Sequence, residues 1–293
     1  MLALLSAASW GTGDFFGGLA TRRVHVLVAL LATQLVGAAL AITMVVVSGE
    51  SAPQTSATLW AAAAGISGLI GLGALYLGLS RGTMGLVAPL SAVIAATVPA
   101  IVAMVSGEPV AGLVLVGMLF ALAAVVAVAI PDRHAVPDAV RQSRGTRLGG
   151  WLLIVTAGFG FAGFFLGVDH AADLGGPVWW TLAAARSAST VLIVLILAGL
   201  IVGARAPNAQ GARAVMASLA ASAVGDTGGN LFFILSRAET TLAVSVVLSS
   251  LFPVSTVVLA RVVLHERISR LALLGVVLAV FGVALIGVGS TAG

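Results

Sequence analysis

The chain reads as an all-α integral membrane protein of about ten transmembrane helices, arranged as two inverted five-helix repeats. Three observations predict this. The composition is starved of charge, the chain is an almost unbroken succession of apolar runs of membrane-spanning length, and its second half echoes its first.

Of 293 residues, 60% are hydrophobic and only 8% charged, with a mean hydropathy of +1.17. Soluble domains carry roughly 25% charged residues, and so few charges would leave large apolar patches against water. Lipid removes that conflict. The N-terminus does not read as a cleaved secretory leader, because residues 1–20 lack a basic start and further spans follow. The chain has no cysteine, which excludes disulfides, thiolate zinc sites and iron–sulfur clusters.

The apolar runs fall at 2–20, 26–48, 58–79, 84–105, 110–130, 149–168, 177–202, 214–235, 241–263 and 271–289. A helix needs about 20 apolar residues to cross roughly 30 Å of hydrocarbon. Helices and closed barrels alone satisfy every backbone group in lipid, and these runs are too long and too uniformly apolar for barrel strands.

A polar stretch, 131–148, separates a first repeat at 1–130 from a second at 149–293. Leu79-Ser80-Arg81 in one half answers Leu235-Ser236-Arg237 in the other. Glu108 precedes Gly117 by the same interval at which Glu266 precedes Gly275. Gly13/Gly17 with Phe15-Phe16 matches Gly163/Gly167 with Phe164-Phe165. An odd number of spans per half makes the second half enter the membrane in the opposite sense, a common transporter device with its site near the midplane.

All 14 basic residues are arginine. The pI near 11.2 could suggest nucleic acid, but the arginines sit singly or in pairs between apolar runs, as membrane anchors do. Loops 1–2, 3–4, 5–6, 7–8 and 9–10 hold Arg22, Arg23, Arg81, Arg133, Arg141, Arg144, Arg147, Arg205, Arg213, Arg267 and Arg270. The alternate loops hold only Arg237. The positive-inside rule then places both termini outside the cytoplasm.

The second half carries a recognisable pattern: an apolar helix with Pro253, then Glu266-Arg267, then a closing helix with Gly275 and Gly282. Trp10-Gly11 ahead of Phe15-Phe16 opens the first half. The chain thereby resembles the EamA family of the drug/metabolite transporter superfamily, over both halves. The resemblance implies a ten-helix inner-membrane carrier, often an exporter of amino acids or other metabolites and frequently proton-coupled. It also implies cytoplasmic termini, against the arginine tally. Pro109 follows Glu108 where the family usually has a basic residue.

Ionisable residues inside spans are costly and mark function by default. Asp226 lies near the middle of span 8 and Arg186 of span 7, and Asp14 sits in the deeper half of span 1. Ser218, Ser222, Asp226 and Asn230 recur every four residues and form a polar stripe on one helix side. A carboxyl in such a setting can load and release a proton; alternatively, Asp226 simply pairs with Arg186 to fasten spans 7 and 8. The planar fork of Arg186 suits a solute carboxylate, or anchors carbonyls. Gln34 takes a comparable place in span 2, as a site group or an interhelical hydrogen bond. Trp10 and Asp14 share a face, and Trp10 stands mid-span whereas Trp60, Trp151, Trp179 and Trp180 sit at span ends, as an interfacial belt predicts. Trp10 is a candidate for solute stacking or core packing, and Tyr76 a weaker candidate on span 3. Pro89, Pro99 and Pro253 interrupt spans 4 and 9 and can kink or gate them.

The histidines show no metal-ligand spacing, and neither metal nor cofactor is expected. The expected partners are a small organic solute, protons and the lipid bilayer. An intramembrane enzyme would need catalytic motifs such as HExxH or a nucleophile elbow, which the sequence does not contain. A non-transporting scaffold would leave the intramembrane charges unexplained. The sequence therefore points to a secondary transporter working by alternating access.

Overall fold

A computed structural model describes residues 1–80, 84–129, 144–203, 207, 211–263 and 270–291. Its helices are α1 (Leu2–Thr21), α2 (Val26–Ser48), α3 (Thr55–Ser80), α4 (Met84–Val105), α5 (Gly112–Ala129), α6 (Arg144–Asp173), α7 (Val178–Val202), α8 (Met216–Arg237), α9 (Leu242–Ser249), α10 (Phe252–Val263) and α11 (Arg270–Thr291). A 3-10 turn, Ala212–Val215, leads into α8. Arg81, Arg133, Arg141, Arg205, Glu266, Arg267 and residues 131–143 of the expected linker lie outside the described residues.

Among the described residues, Val26–Ser48, Thr55–Gly78, Val87–Val105, Gly149–Asp173, Val178–Val202 and Leu242–Leu259 are long and apolar enough to cross a membrane. Helices α5 and α11 carry the shorter apolar stretches Gly112–Val128 and Leu273–Gly289. Helix α6 starts earlier than its expected span, at Arg144, because the polar end of the linker continues the helix ahead of the apolar stretch from Gly149.

The expected ninth span is two helices. The chain turns at Ser250–Leu251 between α9 and α10, just ahead of Pro253. A proline cannot donate to the carbonyl four residues back, here that of Ser249, but is tolerated in a first turn where no donor is needed. Helix α4, by contrast, runs unbroken through both Pro89 and Pro99.

The main packing pairs are α1 with α8, α3 with α6, α5 with α11, and α2 with α7; α4 packs on α6, and α1 also packs on α9 and α10. Glycine lets the backbones meet. A Cβ on Gly225 would stand 2.6 Å from the nitrogen of Gly13, and one on Gly117 2.7 Å from the carbonyl of Gly282. Further along the latter crossing, Gly275 faces the carbonyl of Ala124, so α5 and α11 run antiparallel. Small residues at such crossings allow close packing where lipid offers no hydrophobic drive between helices. Outward-facing Val46, Val105, Leu195 and Phe281 are exposed and form part of the apolar exterior.

Candidate functional site

Helix α1 carries Ser6 and Ser9 on one side, and their hydroxyls donate to the carbonyls of Gly229 and Gly225 at 2.8 Å each. These contacts hold α8 in register with α1. The same register brings Trp10 beside Asn230, whose Oδ1 accepts from Trp10 Nε1 at 2.8 Å. A Cβ on Gly13 would stand 2.8 Å from the nitrogen of Asp226, so Asp14 is carried to the level of that residue.

Helix α7 brings Arg186 to the same depth. Its Nη1 donates to Asp226 Oδ2 at 2.5 Å and to Gln34 Oε1 at 3.2 Å. Thr190, one turn on, donates to the carbonyls of Gln34 and Arg186 and so ties α7 to α2. The guanidinium is buried, with 3% of the residue exposed, yet its Nε and Nη2 have no hydrogen-bond partner among the described residues. Asp14 is also buried.

These side chains line one partly open cavity. Trp10, Asp14, Gln34, Arg186, Asp226 and Asn230 all border it. Phe161, Phe164 and Phe165 of α6 and Phe252 of α10 supply an aromatic wall. The Trp10 ring packs on Phe165 and Phe164 with centroids 5.6 and 6.2 Å apart. With both carboxylates ionised, the two aspartates and one arginine give the cavity a formal charge of −1.

Residues 148–288 match the model of the EamA-like transporter family. By that match, the second half of the chain is similar to the EamA-like transporter family. The chain is a multi-pass membrane protein, and the family supports a transporter of the drug/metabolite kind. No curated protein shows significant sequence similarity to it. A protein of known crystal structure superposes with a TM-score of 0.73 at 18% identity, over 98% of this chain and 95% of the other. At that identity the likeness shows the fold alone.

Not every candidate of this chain lies in the cavity. Tyr76 is fully buried behind it, hydrogen-bonded through its hydroxyl to Ser222 Oγ at 2.8 Å and packed over Gly17. It buttresses the α1–α8 crossing and does not border the cavity. Pro89 and Pro99 are also absent from the lining, and Pro253 adjoins the lining residue Phe252. Sequence reasoning missed the aromatic wall and Ser189, whose hydroxyl donates to the carbonyl of Gly65 at 2.7 Å. The spacing of Phe161, Phe164 and Phe165 puts them on one helix side, a usable signal that does not by itself say whether the side faces lipid or a cavity. Ser189, one turn beyond Arg186, carried the same signal.

Proposed function

We propose that this chain is a proton-coupled secondary transporter that exports a small organic solute across the inner membrane by alternating access. The solute is an amino acid, metabolite or drug-like compound whose carboxylate meets Arg186 and whose apolar body lies against the aromatic wall. The observation that carries this reading is the cavity itself, where a carboxylate, Asp14, stands without an ion-pair partner among the described residues, beside the Arg186–Asp226 pair. Asp14 and Asp226 are the proton-coupling groups. Asp226 binds Arg186, while Asp14 stands outside that pair and is available for a proton. Export as the direction rests on the family resemblance, not on the geometry.

The helix pairing supports two inverted five-helix halves. Exchanging each first-half helix for its second-half counterpart turns the α1–α8 pair into α6–α3 and leaves α5–α11 and α2–α7 as they are. The rocking of one half against the other opens the cavity alternately, with the turn at Ser250–Leu251 beside Pro253 as a gate. The arginine-rich loops face the cytoplasm and both termini lie outside it.

Purified protein in liposomes, driven by an imposed pH gradient and scanned with a panel of amino acids, organic acids and amines, tests the proposal. The expected result is uptake of at least one solute that collapses when the gradient is dissipated. Flux of no solute, or flux indifferent to the gradient, contradicts it.

A further inference from the structure

We infer that Asp14, Trp10 and the rings of Phe161, Phe164, Phe165 and Phe252 form a subsite for an organic ammonium group, carried by the transported solute. The inference names the charge recognised in the cavity and so rests on the transport reading. Three charged side chains border the cavity, and two of them, Arg186 and Asp226, neutralise one another as an ion pair. Asp14 is left over. It is more than nine-tenths buried, and its carboxylate joins no hydrogen bond or ion pair among the described residues.

A buried carboxylate without a partner is costly, so its charge is met by a proton or by a cation. The surroundings select the kind of cation. Trp10 stands one turn before Asp14 on the same side of α1, and its bond to Asn230 at 2.8 Å fixes the ring. Phe164 and Phe165 pack on that ring, and Phe161 and Phe252 extend the wall with centroids 6.3 Å apart. Aromatic faces attract ammonium groups. A hard metal ion needs several oxygens instead, and no group of three or more His, Asp or Glu side chains that could hold one occurs among the described residues.

The titratable groups facing Asp14 are Asp226 with its partner Arg186, and Tyr76, whose hydroxyl is bonded to Ser222. Helices α2, α9 and α10 add none among the side chains described. Proton and ammonium therefore occupy Asp14 in turn, and each ammonium bound to the protonated protein displaces one proton.

The full-length protein in lipid nanodiscs is titrated with 2-phenylethylamine hydrochloride, a probe without a carboxylate that isolates this subsite from Arg186. Its uncharged counterpart is 2-phenylethanol, and sodium chloride is the inorganic arm. Thermal midpoint and Trp fluorescence report binding, and a pH indicator in weak buffer reports proton release. The ammonium is expected to bind at least roughly tenfold tighter than the alcohol, to weaken as the pH falls, and to release a proton on binding at mildly acidic pH. Asp14→Asn brings the ammonium to the level of the alcohol and removes the pH dependence, the aromatic wall still holding the ring, while Asp14→Glu restores both. Equal binding of ammonium and alcohol, binding of neither, or binding without proton release overturns the inference. So does a charge preference unchanged in Asp14→Asn, or sodium displacing the ammonium. Proton-linked liposome flux of another solute that persists in those cases leaves the transport reading standing, so the two failures are separable.

Discussion

Arg186 donates from a single nitrogen to Asp226 and Gln34, and this arrangement sets unequal expectations for the two aspartates. Removing one partner of a buried ion pair leaves an uncompensated charge and costs about 3–5 kcal/mol. Asp226→Leu should therefore lower stability by that amount in a denaturation series, and pairing it with Arg186→Met should recover most of the loss. Asp14 has no such partner among the described residues, so Asp14→Asn is expected to leave the thermal midpoint within a few degrees of wild type while removing proton-linked flux. A large destabilisation by Asp14→Asn would assign it a structural role instead. Asp14, Arg186 and Asp226 were legible in the sequence because charge inside an apolar run is conspicuous.

Helix crossings decide whether those side chains meet at all. At the α1–α8 crossing the backbones approach at Gly13 and Gly225, and Ser6 and Ser9 lock the register. A branched residue there must push the helices apart. Gly225→Val is expected to destabilise the fold and to separate Trp10 from Asn230, seen as a shift in Trp fluorescence; an unchanged midpoint would mean that the crossing is loose. Loop carboxylates hold other helix starts. Glu108 accepts from the backbone of Leu242 and Ala243 at 2.6 and 3.1 Å, and Glu50 accepts from Trp179 at 3.0 Å. A carboxylate at a helix N-terminus satisfies orphaned donors and complements the dipole, so Glu108→Ala should cost about 1–2 kcal/mol. The sequence placed Glu108 at a helix boundary but said nothing about which helix it would cap. Those contacts join residues far apart in the chain, and no local pattern encodes them.

Over the whole molecule, first-half loops cap second-half helices on the face that also holds Arg237. That arginine binds Asp169 through Nε at 2.6 Å and reaches Glu108 at 4.0 Å. These links tie the α4–α5 loop, the end of α6 and the end of α8 on the face opposite Arg22 and Arg23. The long apolar helices were visible in the sequence because lipid demands them. The cavity was not visible, because a cavity is a failure of packing among α1, α2, α3, α6, α7, α8 and α10 that no one-dimensional pattern states.

Gradient-driven accumulation and gradient-free exchange of one transported solute, compared in the same liposomes for wild type and Asp14→Asn, separate carriage from coupling. Asp14→Asn is expected to retain exchange of labelled for unlabelled solute while losing accumulation under a pH gradient. Accumulation at the wild-type level in Asp14→Asn would show that the unpaired carboxylate in the cavity does not couple transport to protons.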